Sequence, residues 1–225
     1  MNPNLKKLIQ GKREWTEPLS RDEQKKGFKG WYSSKSLPHF DSPGTTQFIT
    51  WRLADSMPVE RRHEWEAFLH LEDETEKRKQ IELYIDRGFG ACHLRDCRIT
   101  EMVQESLWHY DGSKCRLLAW VLMPNHVHLL VEMWDVPMGK LLHNWKGYTA
   151  KQANKILGMI GTFWADDYFD RYIRDETHFQ RVRRYIENNP VRARLAKVPE
   201  DWLWSSARYR SKEDFEKLLH RKGIR

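Results

Sequence analysis

Between Cys115 and Met133 the chain reads CRLLAWVLM, then Pro124-Asn125, then HVHLLVEM, two apolar and β-branched runs parted only by a turn-forming pair. Runs of this kind around such a turn specify two adjacent antiparallel strands. A hairpin this apolar needs cover, so the remaining chain has to be read for what packs against it.

Thr46 to Leu53 (TQFITWRL) has the same character, bounded by Pro43-Gly44 and Asp55-Ser56, and reads as a further strand. Met57-Pro58 opens a helical stretch through His70, and a very charged one runs from Asp73 to Arg87. Both read as surface helices. Ile99, Met102, Val103 and Leu107 recur at helical spacing, with Asp96 or Thr100 placed to cap. Asp135 and Pro137 supply a cap and a first-turn proline for a long helix to about Leu157, ended by Gly158. Tyr168 to Ile173 suits an edge strand, and Thr177 caps a basic helix through Glu187 that Asn188-Asn189-Pro190 stops. A last helix begins at Ser211, whose spacing to Asp214 suits a capping box. This order is that of an α+β chain: an antiparallel sheet with its helices on one face, the other face being left free for chemistry. The expected division is an N-terminal arm over 1–43, a central domain over 44–175 and a basic, helical C-terminal extension over 176–225.

No apolar run approaches the roughly 20 residues of a membrane span, and the first 30 residues lack the apolar centre of a signal peptide, so a cytoplasmic protein without a membrane partner is expected. Cys92, Cys97 and Cys115 form no C-x-x-C pair, which argues against a disulfide scaffold or a cysteine-bound zinc. Charge is unevenly spread: from Gly139 onward there are 19 basic and 11 acidic residues, against 20 and 21 before it. A basic half suits a polyanion such as nucleic acid, although surplus lysine equally serves solubility. Aromatics beside basic residues are what stacking on unpaired bases requires, while most of the 11 tryptophans belong in a core.

Side chains two apart share a face of a strand, so His126 and His128 project together. Neutral imidazole is a common metal ligand, and such a pair can hold one divalent ion with positions left for substrate; the same spacing also fits two surface histidines. On the following helix Met138, Leu141, Leu142, Trp145 and Ile156 form the buried stripe. Tyr148 and Gln152 lie one turn apart on its shoulder, flanked by Lys151 and Lys155. A metal and a lysine would favour the phenolate of Tyr148, and the Gln152 amide oxygen would complete a three-ligand set with the histidines; equally, Tyr148 fits a half-buried core aromatic.

The run Leu122-Met123-Pro124-Asn125-His126-Val127-His128-Leu129-Leu130, with Trp145-Lys146-Gly147-Tyr148 and Gln152, resembles the HUH single-tyrosine transposases, specifically the REP-associated tyrosine transposases. Gly30-Trp31 with Leu37-Pro38-His39-Phe40-Asp41, the stretch from Phe163-Trp164 to Tyr168-Phe169-Asp170, Tyr185-Ile186-Glu187-Asn188-Asn189-Pro190 and Asp201-Trp202-Leu203-Trp204-Ser205-Ser206 are similar to that group as well. The resemblance implies a ferredoxin-like domain that cuts and rejoins single-stranded DNA beside hairpins of repetitive extragenic palindromes. It implies His126, His128 and Gln152 as ligands of Mg²⁺ or Mn²⁺, and Tyr148 as a nucleophile that leaves a 5′-phosphotyrosine and a free 3′-hydroxyl. It requires no nucleotide cofactor, in keeping with the absence of a phosphate-binding Gly-rich loop from the sequence.

For binding, Arg181, Arg183, Arg184, Arg192 and Arg194 form the densest basic cluster and suit the phosphates of a hairpin stem. The alternative to an enzyme is a non-catalytic DNA or RNA hairpin-binding regulator on the same fold, acting as a monomer or homodimer. The segment from Asp55 to Arg87 is a long helical insertion to which no role is assigned.

Overall fold

The computed structural model describes residues 17–34 and 37–210; the helix expected from Ser211 lies outside them. In chain order the elements are helix α1 (Arg21–Lys26), strands β1 (Gly30–Ser34), β2 (Leu37–Asp41) and β3 (Thr46–Arg52), then helices α2 (Arg62–Leu69), α3 (Glu74–Asp86) and α4 (Cys97–Tyr110). Strands β4 (Cys115–Met123) and β5 (His126–Met133), helix α5 (Met138–Leu157), strand β6 (Phe169–Tyr172) and helix α6 (Glu176–Arg192) complete the set.

Four strands form one antiparallel sheet in the order β4-β5-β3-β6. With α4 between β3 and β4, and α5 between β5 and β6, this is the ferredoxin-like β-α-β-β-α-β path. The β4–β5 hairpin turns on Pro124-Asn125 as its sequence requires, and its register sets Val121 opposite His128 and Met123 opposite His126. On β3, Thr50 lies opposite His128 and Arg52 opposite His126, so β5 is central and the histidines are flanked on both sides.

Strand alternation divides the sheet. Val127, Leu129 and Val131 pack with Ile99, Val103 and Leu107 of α4 and with Leu141, Leu142, Trp145 and Ala153 of α5, the main core. Fully burying each such side chain contributes roughly 1.5–3 kcal/mol. The two connecting helices thus share one face, as the sequence implied. The other face is not free: Phe48, Val121 and Leu130 pack against Phe179, Val182 and Ile186 of α6. A third cluster, Trp65, Ile81, Tyr84 and Ile85, holds α2 and α3 together. The insertion is pinned at its ends, since a Cβ on Gly90 would stand 2.7 Å from the Asp55 carbonyl oxygen and Ala91 N–H donates to Asp55 Oδ2 at 2.7 Å.

Two helix ends differ from their sequence reading. Asp135 does not cap α5; it pairs with Lys26 at 2.9 Å, and Asp41, from the end of β2, accepts the Met138 N–H at 2.9 Å. Helix α6 starts from Asp175, which accepts the His178 N–H at 2.7 Å, and runs through Asn188-Asn189-Pro190 instead of stopping there. Pro190 removes the N–H that would bond the Ile186 carbonyl and crowds that carbonyl with its ring, and the helix ends two residues later at Arg192. The helix closes where Ala193 N–H donates to Asn189 O at 2.9 Å.

Strands β1 and β2 pair antiparallel, and β2 docks on the β6 edge. His39 Nδ1 meets Asp170 Oδ1 in a buried hydrogen bond, the Phe40 N–H donates to Asp170 Oδ2 at 3.1 Å, and the Tyr32 and Tyr168 hydroxyls are 2.6 Å apart.

Candidate active site

His126 and His128 are 1% and 0% exposed, and their Nε2 atoms lie 3.0 Å apart. Their outer nitrogens are held by neighbours. Asn125 donates its amide N–H groups to the Ile85 and Phe89 carbonyls, both at 3.2 Å, which turns its Oδ1 to His126 Nδ1 at 2.8 Å. His126 therefore carries its proton on Nδ1 and presents a bare lone pair at Nε2. Burial first, then His128, pushes His126 down to about 3 against the opposing pull of Asp86, so the ring is neutral at physiological pH. His128 Nδ1 meets Thr50 Oγ1 at 2.6 Å.

The end of α3 brings a carboxylate to this pair. Asp86 Oδ1 lies 3.5 Å from His126 Nε2 and 3.9 Å from His128 Nε2, and among the described residues these three side chains form a group able to hold a metal ion. Burial pushes the Asp86 carboxyl up, but the two histidines and Asn189 outweigh it, and the net displacement is downward. Asn189, from the last turn of α6, donates Nδ2 to Asp86 Oδ1 at 3.3 Å, while its own Oδ1 is buried without a hydrogen-bond partner. Two imidazole nitrogens, a carboxylate and an orphaned amide oxygen suit a divalent cation that takes nitrogen and oxygen ligands. In an octahedral site with bonds of about 2.1 Å, neighbouring donors stand roughly 3 Å apart, as the two Nε2 atoms do.

One turn before Asn189 on the same helix is Tyr185. Its ring centroid is 5.4 Å from that of His128 and 5.8 Å from that of Phe48. The hydroxyl is buried and makes no well-formed hydrogen bond among the described residues. Arg192 sets its guanidinium 5.0 Å from the ring centroid and reaches Asp86 Oδ2 at 4.0 Å. Burial, then Glu82 and Asp86, push this phenol up from its ordinary value, against a smaller downward pull from Arg192. A cation among the donors would act in the opposite sense.

The residues expected to meet the histidines from α5 do not. Helix α5 packs on Val127, Leu129 and Val131, so the sheet stands between it and the imidazoles. Tyr148 is 54% exposed on the outer side of that helix, Gln152 is half-buried beside it, and Lys151 and Lys155 are exposed there too. The physical reason is the alternation of β5 itself: the side chains facing α5 are those between the histidines. Of the basic cluster, Arg192 comes to the site; Arg181, Arg184 and Arg194 are exposed and Arg183 is half-buried, with none of them among the contacts of the site. The sequence reading missed Asp86, Tyr185 and Asn189 as site residues. For the last two a signal existed, since Tyr185 and Asn189 repeat the Tyr-x-x-x-amide spacing of Tyr148 and Gln152.

Fold and site together define a class: a ferredoxin-like domain with a His-x-His pair on its central strand and a helix-borne tyrosine and amide facing it. Residues 95–189 match the family described as IS200-like transposases, and over this stretch the recognition read from the residues is borne out. No curated protein matches the chain. Among solved structures, a REP-associated tyrosine transposase bound to a REP hairpin is similar at 17% identity and a TM-score of 0.46, over 83% of this chain and 86% of that one. A suspected transposase from Deinococcus radiodurans R1 is similar at 14% identity and a TM-score of 0.30, over 70% of this chain and 97% of that one.

Proposed function

We propose that the chain is a metal-dependent single-stranded DNA endonuclease and strand transferase acting beside DNA hairpins, with Tyr185 as its nucleophile. The observation that carries this reading is the turn Tyr185–Asn189, which faces the two imidazoles and Asp86. The match to IS200-like transposases includes both histidines and this turn.

His126, His128, Asp86 and Asn189 would hold Mg²⁺ or Mn²⁺, which supplies Lewis acidity at a non-bridging phosphate oxygen and a positive field beside the phenol. Asn125 and Thr50 fix the rings so that their Nε2 atoms face inward. Tyr185 would release its phenolic proton to solvent and attack phosphorus in line. The Oη–P bond forms, the P–O3′ bond breaks, and the departing oxygen takes a proton to become a free 3′-hydroxyl. The DNA stays attached through a 5′-phosphotyrosine, and attack by a second 3′-hydroxyl reverses the step without nucleotide hydrolysis. Arg192, which lies over the Tyr185 ring, would offset the phosphate charge.

The test is to incubate the protein with a labelled single strand carrying a hairpin and to look for a denaturation-resistant protein–DNA adduct. Wild type and Tyr148→Phe form the adduct with Mg²⁺ or Mn²⁺; EDTA and Tyr185→Phe abolish it. An adduct that survives Tyr185→Phe and disappears in Tyr148→Phe would return the role to α5. Retention of DNA with no adduct under any condition would identify a binding module.

A further inference from the structure

We propose that Trp31, at the exposed side of the β1–β2 pair, is a stacking platform for one unpaired base of the DNA strand leading to the Tyr185 site, with Arg174 holding an adjacent phosphate; this rests on the function proposed above and specifies its substrate contact.

Among the described residues Trp31 is the tryptophan that remains mostly exposed, at 55%, while Trp51, Trp65, Trp120, Trp145 and Trp164 are buried. Its indole does not swing free. It packs on Phe40 with ring centroids 4.8 Å apart, and Phe40 in turn packs edge-on against Tyr172 at 5.3 Å. The strand pair beneath is locked to β6 through His39, Phe40 and Asp170. An aromatic face held in place before binding costs little ordering on contact.

Beside the indole is a groove of about 280 Å³ whose rim includes Pro38, Tyr172, Arg171 and Arg174. That volume is just below the roughly 300 Å³ at which drug-sized sites begin, which suits a single base better than a folded partner. The charges suit a phosphate. The carboxylate in the lining, Asp170, is turned inward and bonded to His39 and the Phe40 N–H, Arg171 is engaged by Glu82 at 3.7 Å, and the Arg174 side chain is exposed with no ion pair among the described residues. The groove also lies close to the chemistry. Arg171 is the register partner of Phe48, whose ring centroid is 5.4 Å from that of His128. Arg171 thus lines the same groove as Trp31 while pairing with the residue that packs on His128. An aromatic platform beside an unpaired cation is how proteins grip unpaired nucleotides irrespective of sequence.

Binding in EDTA, followed by fluorescence anisotropy, separates this contact from cleavage. The probes are a DNA hairpin with a 5′ single-stranded tail, one with a 3′ tail, one with neither, and a tailed hairpin whose tail is RNA. Trp31→Ala is expected to weaken one tailed DNA hairpin about 10- to 100-fold and to leave the tail-less hairpin unchanged, with Trp31→Phe retaining most of the affinity. Arg174→Ala is expected to weaken the same probe and to lower the salt slope by about one. Unchanged circular dichroism in Trp31→Ala establishes that the variant folds. Equal affinity of Trp31→Ala and wild type for every tailed probe, or equal losses on tailed and tail-less hairpins, overturns the proposal, as does a Trp31-dependent preference for the RNA tail. The adduct assay is independent: a wild type that forms no adduct but shows the tail-dependent loss refutes the catalytic reading and keeps the base-binding one.

Discussion

The two faces of the central sheet are built from alternate residues of the same strands, yet they are finished in different ways. Toward α4 and α5 the strands present Val127, Leu129 and Val131, and the helices answer with an apolar stripe. Toward α6 and α3 they present His126, His128, Thr50 and Phe48, and the answering side chains include Asp86, Tyr185 and Asn189. The first face is closed by the connecting helices of the ferredoxin path. The second is closed by a helix after that path and by an insertion within it. The packing of the first face can therefore be altered without touching a site residue, because α4 and α5 carry none of the side chains that meet the imidazoles.

The largest effect expected of a single change is on the apolar face. Trp145 is 1% exposed, stacks 6.2 Å from Trp51 and donates its indole N–H to the Ser106 carbonyl at 3.0 Å. Trp145→Ala should cost about 3–5 kcal/mol, read as a fall in Tm and in the denaturant midpoint. A loss under about 1 kcal/mol would mean that this face is not the one that holds the fold. On the other face, Asp86→Asn keeps the side-chain size and removes the charge. It should weaken Mn²⁺ binding about 10- to 100-fold, measured by the electron paramagnetic resonance of free Mn²⁺, while far-ultraviolet circular dichroism stays unchanged. Unaltered Mn²⁺ affinity would take the insertion out of the metal site.

This division also marks what the sequence could disclose. Strands β4 and β5 were legible to the residue, because an apolar run, a Pro-Asn turn and a second apolar run leave little choice of register. The histidine pair followed from period two alone. Choosing the tyrosine required knowing which face each helix covers. Alternation already held part of the answer: the helix that follows β5 buries its stripe on the apolar side, so a partner for the histidines had to come from elsewhere. Reading Asn188-Asn189-Pro190 as a stop hid the turn that joins Tyr185 to Asn189, since the helix continues through these residues to Arg192. Asp86 left no local signal. It closes a charged stretch that reads as a solvated surface, and only long-range packing of α3 brings it to the imidazoles.

A smaller effect should come from the support beneath the site. Thr50→Val is nearly isosteric and removes the hydroxyl that meets His128 Nδ1 at 2.6 Å. Without that partner the ring loses the contact that fixes its orientation, and Mn²⁺ affinity should fall about 10-fold, at the lower end of what such supporting contacts contribute. The same assay on Phe48→Leu, which changes packing against the ring but no hydrogen bond to it, separates orientation by the hydroxyl from general loosening of that face. Equal losses in the two variants would assign the effect to packing.

The smallest expected effect is the sharpest test of the comparison, because it requires two residues of similar spacing to behave differently. Gln152 stands to Tyr148 as Asn189 stands to Tyr185, four residues on along a helix, but α5 lies across the sheet from the histidines. Gln152→Ala should leave Mn²⁺ affinity within about twofold of wild type and stability within about 0.5 kcal/mol, as for other half-exposed helix positions without a buried polar partner. Asn189→Ala should weaken the ion and also disturb the fold slightly, since Asn189 is 1% exposed and bonded to Asp86. If titration instead found the deficit in Gln152→Ala and none in Asn189→Ala, the sheet could not be the barrier it is in this fold. The two helices would then have to exchange faces when the ion binds.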